Sequence, residues 1–193
     1  MRKVIVSMNI TLDGFMAGPD QGLEWHFRYW NDEMAEESAI QLAQADTILL
    51  GRKTYEAMAG YWPLQRVNPA FPRNDLAFAE MMNRHRKIVF STTLMRLHWS
   101  NSMLVRKDIE AKVASLKMQE GPNILIYGSG SIVGQLMRSG QIDEYRVWVH
   151  PVVLGSGKPF LINPKDRSAP ELFNEKKFTS GVVLFFYGSD CCE

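Results

Sequence analysis

The chain has 193 residues, 46% of them hydrophobic and 22% charged, with 22 Lys plus Arg against 21 Asp plus Glu. That composition describes an ordinary globular protein, and at about 150 residues per domain the expectation is one domain spanning 1–193. A chain this long buries roughly 70% of its unfolded surface, so it needs no disulfide or metal to fold. A net charge of +1 argues against a dedicated nucleic-acid binder, which carries a basic face, and gives no attraction to anionic membrane.

The two cysteines, Cys191 and Cys192, are adjacent. Neighbours rarely pair, so a disulfide framework and a four-cysteine zinc site are both excluded, and a reducing compartment is the expected setting. The opening stretch from Met1 to Phe15 is too polar for a signal peptide. No run of about 18 apolar residues occurs, so no membrane span is expected and the default location is the cytoplasm.

Strand-like and helix-like segments alternate along the chain. Lys3 to Ile10 reads as a strand around β-branched Val4, Ile5 and Val6. Asp13-Gly14 and the run from Gly18 to Gly22 mark a long loop. Asn31 caps a helix to Ala45, with Asp32 and Glu33 favouring its first-turn dipole. Thr47 to Leu50 is a buried strand. A helix near Thr54 is expected to stop before Pro63, with an irregular excursion from Tyr61 to Asn74. Asp75 to Arg84 is a short helix, and Lys87 to Ser91 and Met103 to Arg106 are strands. Asp108 to Gln119 is amphipathic through Ile109, Val113 and Leu116. Ile124 to Tyr127 is an apolar strand, and Gly128-Ser129-Gly130 leads into a helix to Ser139. Glu144 to His150 alternates, with Tyr145, Val147 and Val149 on one side. Strands at Glu175 to Phe178 and Gly181 to Tyr187 form a closing hairpin. The pattern predicts an α/β fold with a mostly parallel sheet and helices on both faces, ending in an antiparallel hairpin.

Three turns carry candidate chemistry. Gly128-Ser129-Gly130-Ser131-Ile132-Val133-Gly134 joins a strand to a helix, where free N–H groups bind phosphate and glycines admit close approach. Its spacing misses the dinucleotide fingerprint by one residue, and the same residues suit a plain tight turn. Gly51-Arg52-Lys53-Thr54 repeats the geometry with two cations, or equally begins a helix with solvated basic residues. Ser91-Thr92-Thr93 closes a third strand with hydroxyls. All three lie at carboxyl ends of strands, where open α/β sheets bind ligands, which points to a nucleotide with several phosphates. Trp25, Trp30 and Trp62 serve core packing or a stacking wall for a flat heterocycle. Asp32, Glu33, Glu36 and Glu37 form a solvated helix face from which one acid turned inward would supply a proton. His26, His85, His98 and His150 show no ligand spacing, so no metal site is expected. Gly-x-Ser-x-Gly is missing, so an esterase triad has no anchor. The loop Pro151 to Pro159 is fixed by two glycines and two prolines, its role left open.

Four segments, in order, resemble the dihydrofolate reductase-like superfamily. They are Ser7 to Gly14, Leu50 to Glu56, Tyr127 to Ser131 and Pro151 to Gly157. The last is most similar to the reductase domain of the bifunctional riboflavin-biosynthesis deaminase–reductase. The resemblance spans the whole chain. It implies a three-layer fold with a sheet of about eight strands, NADPH as hydride donor, and a homodimer. It implies that Gly51, Arg52, Lys53 and Thr54, and Gly128, Ser129, Gly130, Ser131 and Ile132 with Tyr127 beside them, hold the pyrophosphate and neighbouring groups. Arg52 and Ser91 or Thr92 would face the 2′-phosphate. Asn9, Ala17 and Gly18 would lie against the nicotinamide under Trp25, with Trp30 also in the substrate site. Dihydrofolate reductases bind the pterin through one acid in the first helix. Here the count from Trp25 falls between Trp30 and Asp32, so Asp32 is the expected proton donor and substrate ligand, with Glu36 next. The deaminase signature of His-x-Glu with Pro-Cys-x-x-Cys does not occur.

The expected function is NADPH-dependent reduction of a pyrimidine or pterin, with 5-amino-6-(5-phosphoribosylamino)uracil as the named candidate by resemblance. Dihydrofolate reduction is the alternative among reductases. A non-catalytic nucleotide-binding protein, or a dimeric structural module, is the alternative of another class.

Overall fold

The structure, a computed structural model, describes residues 1–65, 67–72, 75–160 and 170–189. Cys191 and Cys192 lie outside the described residues. The elements are β1 (Val4–Thr11), β2 (Phe15–Ala17), α1 (Glu24–Phe27), α2 (Asp32–Ala43), β3 (Ala45–Gly51), α3 (Arg52–Gln65), α4 (Leu76–Arg84), β4 (Arg86–Phe90), β5 (Ser102–Val105), α5 (Ile109–Lys117), β6 (Asn123–Ile126), α6 (Gly130–Arg138), β7 (Glu144–His150), β8 (Lys158–Pro159), β9 (Glu171–Lys177) and β10 (Val183–Gly188).

Eight strands form one sheet in the order β5-β4-β3-β6-β1-β7-β10-β9. The first six in that order pair in parallel, and β10 and β9 add antiparallel strands at one edge. Strand alternation builds the two sides. Val4, Val6 and Met8 of β1 pack with Val113 and Leu116 of α5 and Ile132, Val133 and Leu136 of α6. Ile5 between them turns the other way, joining Leu42 of α2, Tyr55 of α3 and Met82 of α4. The α/β fold expected from the sequence, three layers with a closing antiparallel pair, is the one observed.

Some local expectations need correction. Helix α3 does not stop before Pro63 but runs to Gln65 with the proline inside it. Proline removes only its own N–H, and the Gln65 side chain donates to the Tyr61 carbonyl at 2.9 Å, tying up the last turn. The same helix begins at Arg52, so Thr54 sits within its first turn. Strand β9 starts four residues earlier than expected. Every one of its residues is exposed, so burial imposed no alternation to read, and a register shift between Phe186 and Tyr187 carries the pairing on to Leu172. Three short elements gave no sequence signal: α1, and β2 and β8, which pair with each other.

Candidate active site

The direction of the crossovers places a crevice. From β3 the chain enters α3 on one face of the sheet, while from the adjacent β6 it enters α6 on the other. Diverging connections leave an opening at the carboxyl ends of neighbouring strands, where ligands of α/β sheets bind.

Two glycine turns meet there. The Gly51 N–H donates to the Gly128 carbonyl at 3.0 Å. A Cβ on Gly51 would stand 2.5 Å from Ser129 Oγ. Gly128 has φ +124°, and a Cβ there would lie 2.9 Å from Thr54 Oγ1. Gly130 is closed in the same way by Met16 Sδ, at 2.8 Å from the Cβ it lacks. The glycines are therefore needed for the two turns to touch each other and β2. The first-turn N–H groups of a helix have no partners within it, and α3 and α6 both begin at this junction; at the start of α6 the Ile132 and Val133 N–H groups donate to the Ser129 carbonyl at 3.0 and 3.2 Å. Ser129 and Ser131 share a hydroxyl contact of 2.7 Å.

Cations and hydroxyls gather on one side. Because Gly51 pairs with Phe90 and Phe90 with Val105, the next residues, Arg52, Ser91 and Arg106, stand at the same end of three neighbouring strands. Arg52 is exposed and held by Glu56, one turn on, at 3.2 Å. Lys53 is bonded to Gln21 of the first loop. Ser91 Oγ accepts the N–H groups of Thr93 and Leu94, which shapes its own loop, and Thr92 is exposed. Arg106 braces that loop through the Thr92 and Leu94 carbonyls at 3.2 and 3.0 Å. Sequence reading passed over Arg106, because only the β4–β5 pairing brings it to Ser91.

On the other side lies a denser, aromatic arrangement. His150 ends β7 fully buried, and its Nε2 meets Asn9 Oδ1 at 2.9 Å. Trp25, His26 and Tyr29 wall its ring at centroid distances of 5.1, 6.0 and 6.0 Å. Burial, and secondarily the neighbouring His26, pushes the His150 pKa down to about 4. Trp25 Nε1 and His150 Nδ1 are buried without hydrogen-bond partners among the described residues. Trp30 is 41% exposed and tilts over Trp148 at 6.2 Å. Tyr127 stands at the end of β6, its hydroxyl buried and its pKa pushed up by that burial.

The loop after β7 acquires a role that its sequence left open. The Asp13 carboxylate accepts the Gly155 N–H at 2.7 Å, the Leu154 N–H at 3.1 Å and the Thr11 hydroxyl at 2.6 Å. Those bonds hold its pKa below the ordinary carboxylate range, the Thr11 hydroxyl contributing most. Gly157, at φ +149°, passes so close to the Ala17 carbonyl that a Cβ would overlap it. Ala17 is thereby buried in β2, and Gly18 begins a turn closed by its N–H to the Gly22 carbonyl at 3.0 Å. The Thr11-Leu12-Asp13-Gly14 and Leu154-Gly155-Ser156-Gly157 segments thus lock each other at the carboxyl ends of β1 and β7.

The acids of α2 divide differently from the expectation. Asp32 and Glu36 are exposed, and neither makes a hydrogen bond or ion pair among the described residues. Glu33 binds the Thr179 N–H and hydroxyl at 2.9 and 3.0 Å, which lowers its pKa. Glu37, 8% exposed, is the acid turned inward. Its carboxylate takes Lys176 Nζ at 2.9 Å and Gln41 Nε2 at 3.0 Å, and Gln41 leads on through Ser7 to Trp148. Helix α2 meets Trp148 through Met34, an apolar contact. No cluster of three or more His, Cys, Asp or Glu poised for a metal occurs among the described residues. No helix among them is long and apolar enough to cross a membrane.

An eight-stranded sheet of this order, parallel but for its closing strands and with helices on both faces, is a dihydrofolate reductase-like fold. The same fold occurs in dihydrofolate reductase from Enterococcus faecalis complexed with NADP(H), at a TM-score of 0.57 and 13% identity over 97% of this chain and 96% of that one. Within that class the chain belongs to the RibD C-terminal domain family, which matches residues 2–184. The Bacillus subtilis protein YyaP is 31% identical over 96% of this chain and 94% of its own length. The diaminohydroxyphosphoribosylaminopyrimidine deaminase/5-amino-6-(5-phosphoribosylamino)uracil reductase of Thermotoga maritima shares the fold at a TM-score of 0.67 and 14% identity. The match covers 98% of this chain and 57% of that one.

Proposed function

We propose that the protein is an NADPH-dependent reductase of a flat nitrogen heterocycle, a pyrimidine of the riboflavin pathway being the best-supported class. The observation that carries this reading is the contact of the Gly51 and Gly128 turns, so close that any Cβ would part them, at the opening between diverging crossovers. Its donors are backbone N–H groups of two helix starts, flanked by Arg52, Lys53 and Arg106, a set suited to a dinucleotide with a 2′-phosphate. Family membership supports the same reading.

In it, Gly51, Lys53, Thr54 and the 128–132 turn hold the pyrophosphate. Arg52 and Thr92, with Arg106 behind them, face the 2′-phosphate. Asn9, Ala17 and Gly18 lie against the nicotinamide ring, with Tyr127 at the junction and Trp25 and Trp30 around the heterocycle. The cofactor supplies hydride, and the chain contributes alignment and exclusion of water. The described side chains bring no inward carboxylate to the crevice, since Glu37 is neutralised by Lys176. A proton from Asp32 or Glu36 therefore travels through water from the mouth of the site. The Met34 contact with Trp148 weighs against a pterin held by an acid, and so against dihydrofolate. In this reading the protein acts as a homodimer in solution.

The same observation favours one rival, a nucleotide-binding protein without catalysis. Cofactor oxidation separates the two. NADPH absorbance is followed with 5-amino-6-(5-phosphoribosylamino)uracil and with dihydrofolate as acceptors. Turnover with the pyrimidine is the expected result. NADPH binding without turnover on any heterocycle would leave the rival standing.

A further inference from the structure

Asn9 and His150 stand 141 positions apart in sequence and touch through one hydrogen bond, Nε2 to Oδ1 at 2.9 Å. His150 has no exposed surface, and three aromatic rings, Trp25, His26 and Tyr29, enclose it. Such an enclosure favours the neutral imidazole, which carries a single N–H. A carboxamide oxygen can only accept, so that N–H resides on Nε2 and Nδ1 is left with a lone pair. The surroundings agree, because Nδ1 has no partner among the described residues. The opposite assignment would bury an N–H on Nδ1 without an acceptor, which costs more than an unused lone pair.

The consequence falls on Asn9. Its side chain is partly exposed at the end of β1, and its amide nitrogen bonds to no described residue. Alone, a carboxamide can offer either end to a ligand. Bonded through its oxygen to a fixed ring, it offers only the NH2. We propose that His150 is a positioning residue that fixes the Asn9 carboxamide with its NH2 toward the crevice, so that the site selects a ligand presenting a carbonyl oxygen at that place. The orientation stands on the hydrogen bond alone. What carries the carbonyl rests on the reductase reading and has two sources, the carboxamide of a nicotinamide and the lactam of a pyrimidine.

The test has two layers. Nitrogen-15 labelling of histidine reads the ring directly, and the ligand-free protein is expected to show His150 as the neutral Nε2–H tautomer from pH 5 to 8. A protonated Nδ1 in the neutral ring would overturn the proposal. Calorimetric titrations with NADPH and, separately, with 5-aminouracil then read selection in wild type, His150→Gln, which keeps an N–H donor, and His150→Phe, which keeps bulk without one. One ligand is expected to bind about fivefold more weakly to His150→Phe and within about twofold of wild type to His150→Gln, the size of one neutral hydrogen bond. The ligand that weakens identifies the source of the carbonyl. Equal losses in both variants, or none in either, would overturn the selection. If neither ligand binds wild type, the reductase reading fails, and the tautomer alone decides the orientation of Asn9.

Discussion

The two halves of the crevice are built by different means. The half at β3 and β6 is made of backbone: Gly51, Gly128 and Gly130 let turns approach until a methyl group would not fit. The half at β1 and β7 is made of side chains, Asn9, Trp25, His26, Tyr29 and His150, packed ring against ring. In the proposed reading, the backbone half takes what all dinucleotides share, and the side-chain half, free to change without moving the sheet, takes the substrate.

The sharpest way to break that contrast is to put side chains into the cradle. Gly128→Ala adds a Cβ against Thr54 Oγ1 at a backbone angle that L residues rarely adopt. Thermal unfolding is expected to show a loss of about 1–3 kcal/mol. Dinucleotide binding, read by tryptophan fluorescence, is expected to vanish. Retained binding would mean that the cradle is not the phosphate site.

The side-chain half responds to pH instead. The His150 pKa of about 4 lies below the ordinary 6.5, so between those values the unfolded chain binds more protons than the native one. Stability is complete above pH 6.5 and falls as pH drops toward 4, by up to about 3 kcal/mol for this group. Denaturant melts at a series of pH values check this, and His150→Phe is expected to flatten that part of the profile. Asp13 adds a loss at lower pH. Its lowered pKa means that its bonds to the Thr11 hydroxyl and to the 154–155 backbone stabilise above the ordinary carboxylate range and fail as pH falls through it.

Next in size is the 2′-phosphate. Removing one charge-assisted hydrogen bond in Arg52→Ala is expected to cut the preference for NADPH over NADH by on the order of 10–100-fold. An unchanged preference would move the 2′-phosphate away from Arg52. The smallest effect is the most specific. Glu56 holds Arg52 in an exposed pair one helical turn apart, and such pairs are worth about 0.3–0.5 kcal/mol. Glu56→Gln is expected to free the guanidinium and tighten NADPH about twofold, with NADH unchanged.

This division also explains what could be read before the structure. Apolar strands ending in glycine, such as Thr47 to Gly51 and Ile124 to Gly128, announce both their pairing and their turns, because the physics is local. The order of those strands in the sheet came only with the structure. The bond between Asn9 and His150 is silent in sequence, since a histidine at the end of an alternating strand looks the same whether its ring meets solvent or a carboxamide from β1. The acids of α2 were legible only in part, for a related reason. Periodicity places Asp32, Glu33, Glu36 and Glu37 on one stretch of helix, but only the arrival of Lys176 from β9 decides that Glu37 turns inward. Strand β9 is itself fully exposed and gave little pattern to anticipate it.

The central claim is that the paired glycine turns form a dinucleotide site with a 2′-phosphate subsite. The most direct measurement is a parallel tryptophan-fluorescence titration of the wild-type protein with NADPH and NADH. Two charge-assisted bonds to the 2′-phosphate predict NADPH tighter by on the order of 10²–10⁴-fold. Equal affinities would contradict the 2′-phosphate subsite, and no response to either nucleotide would contradict the account as a whole.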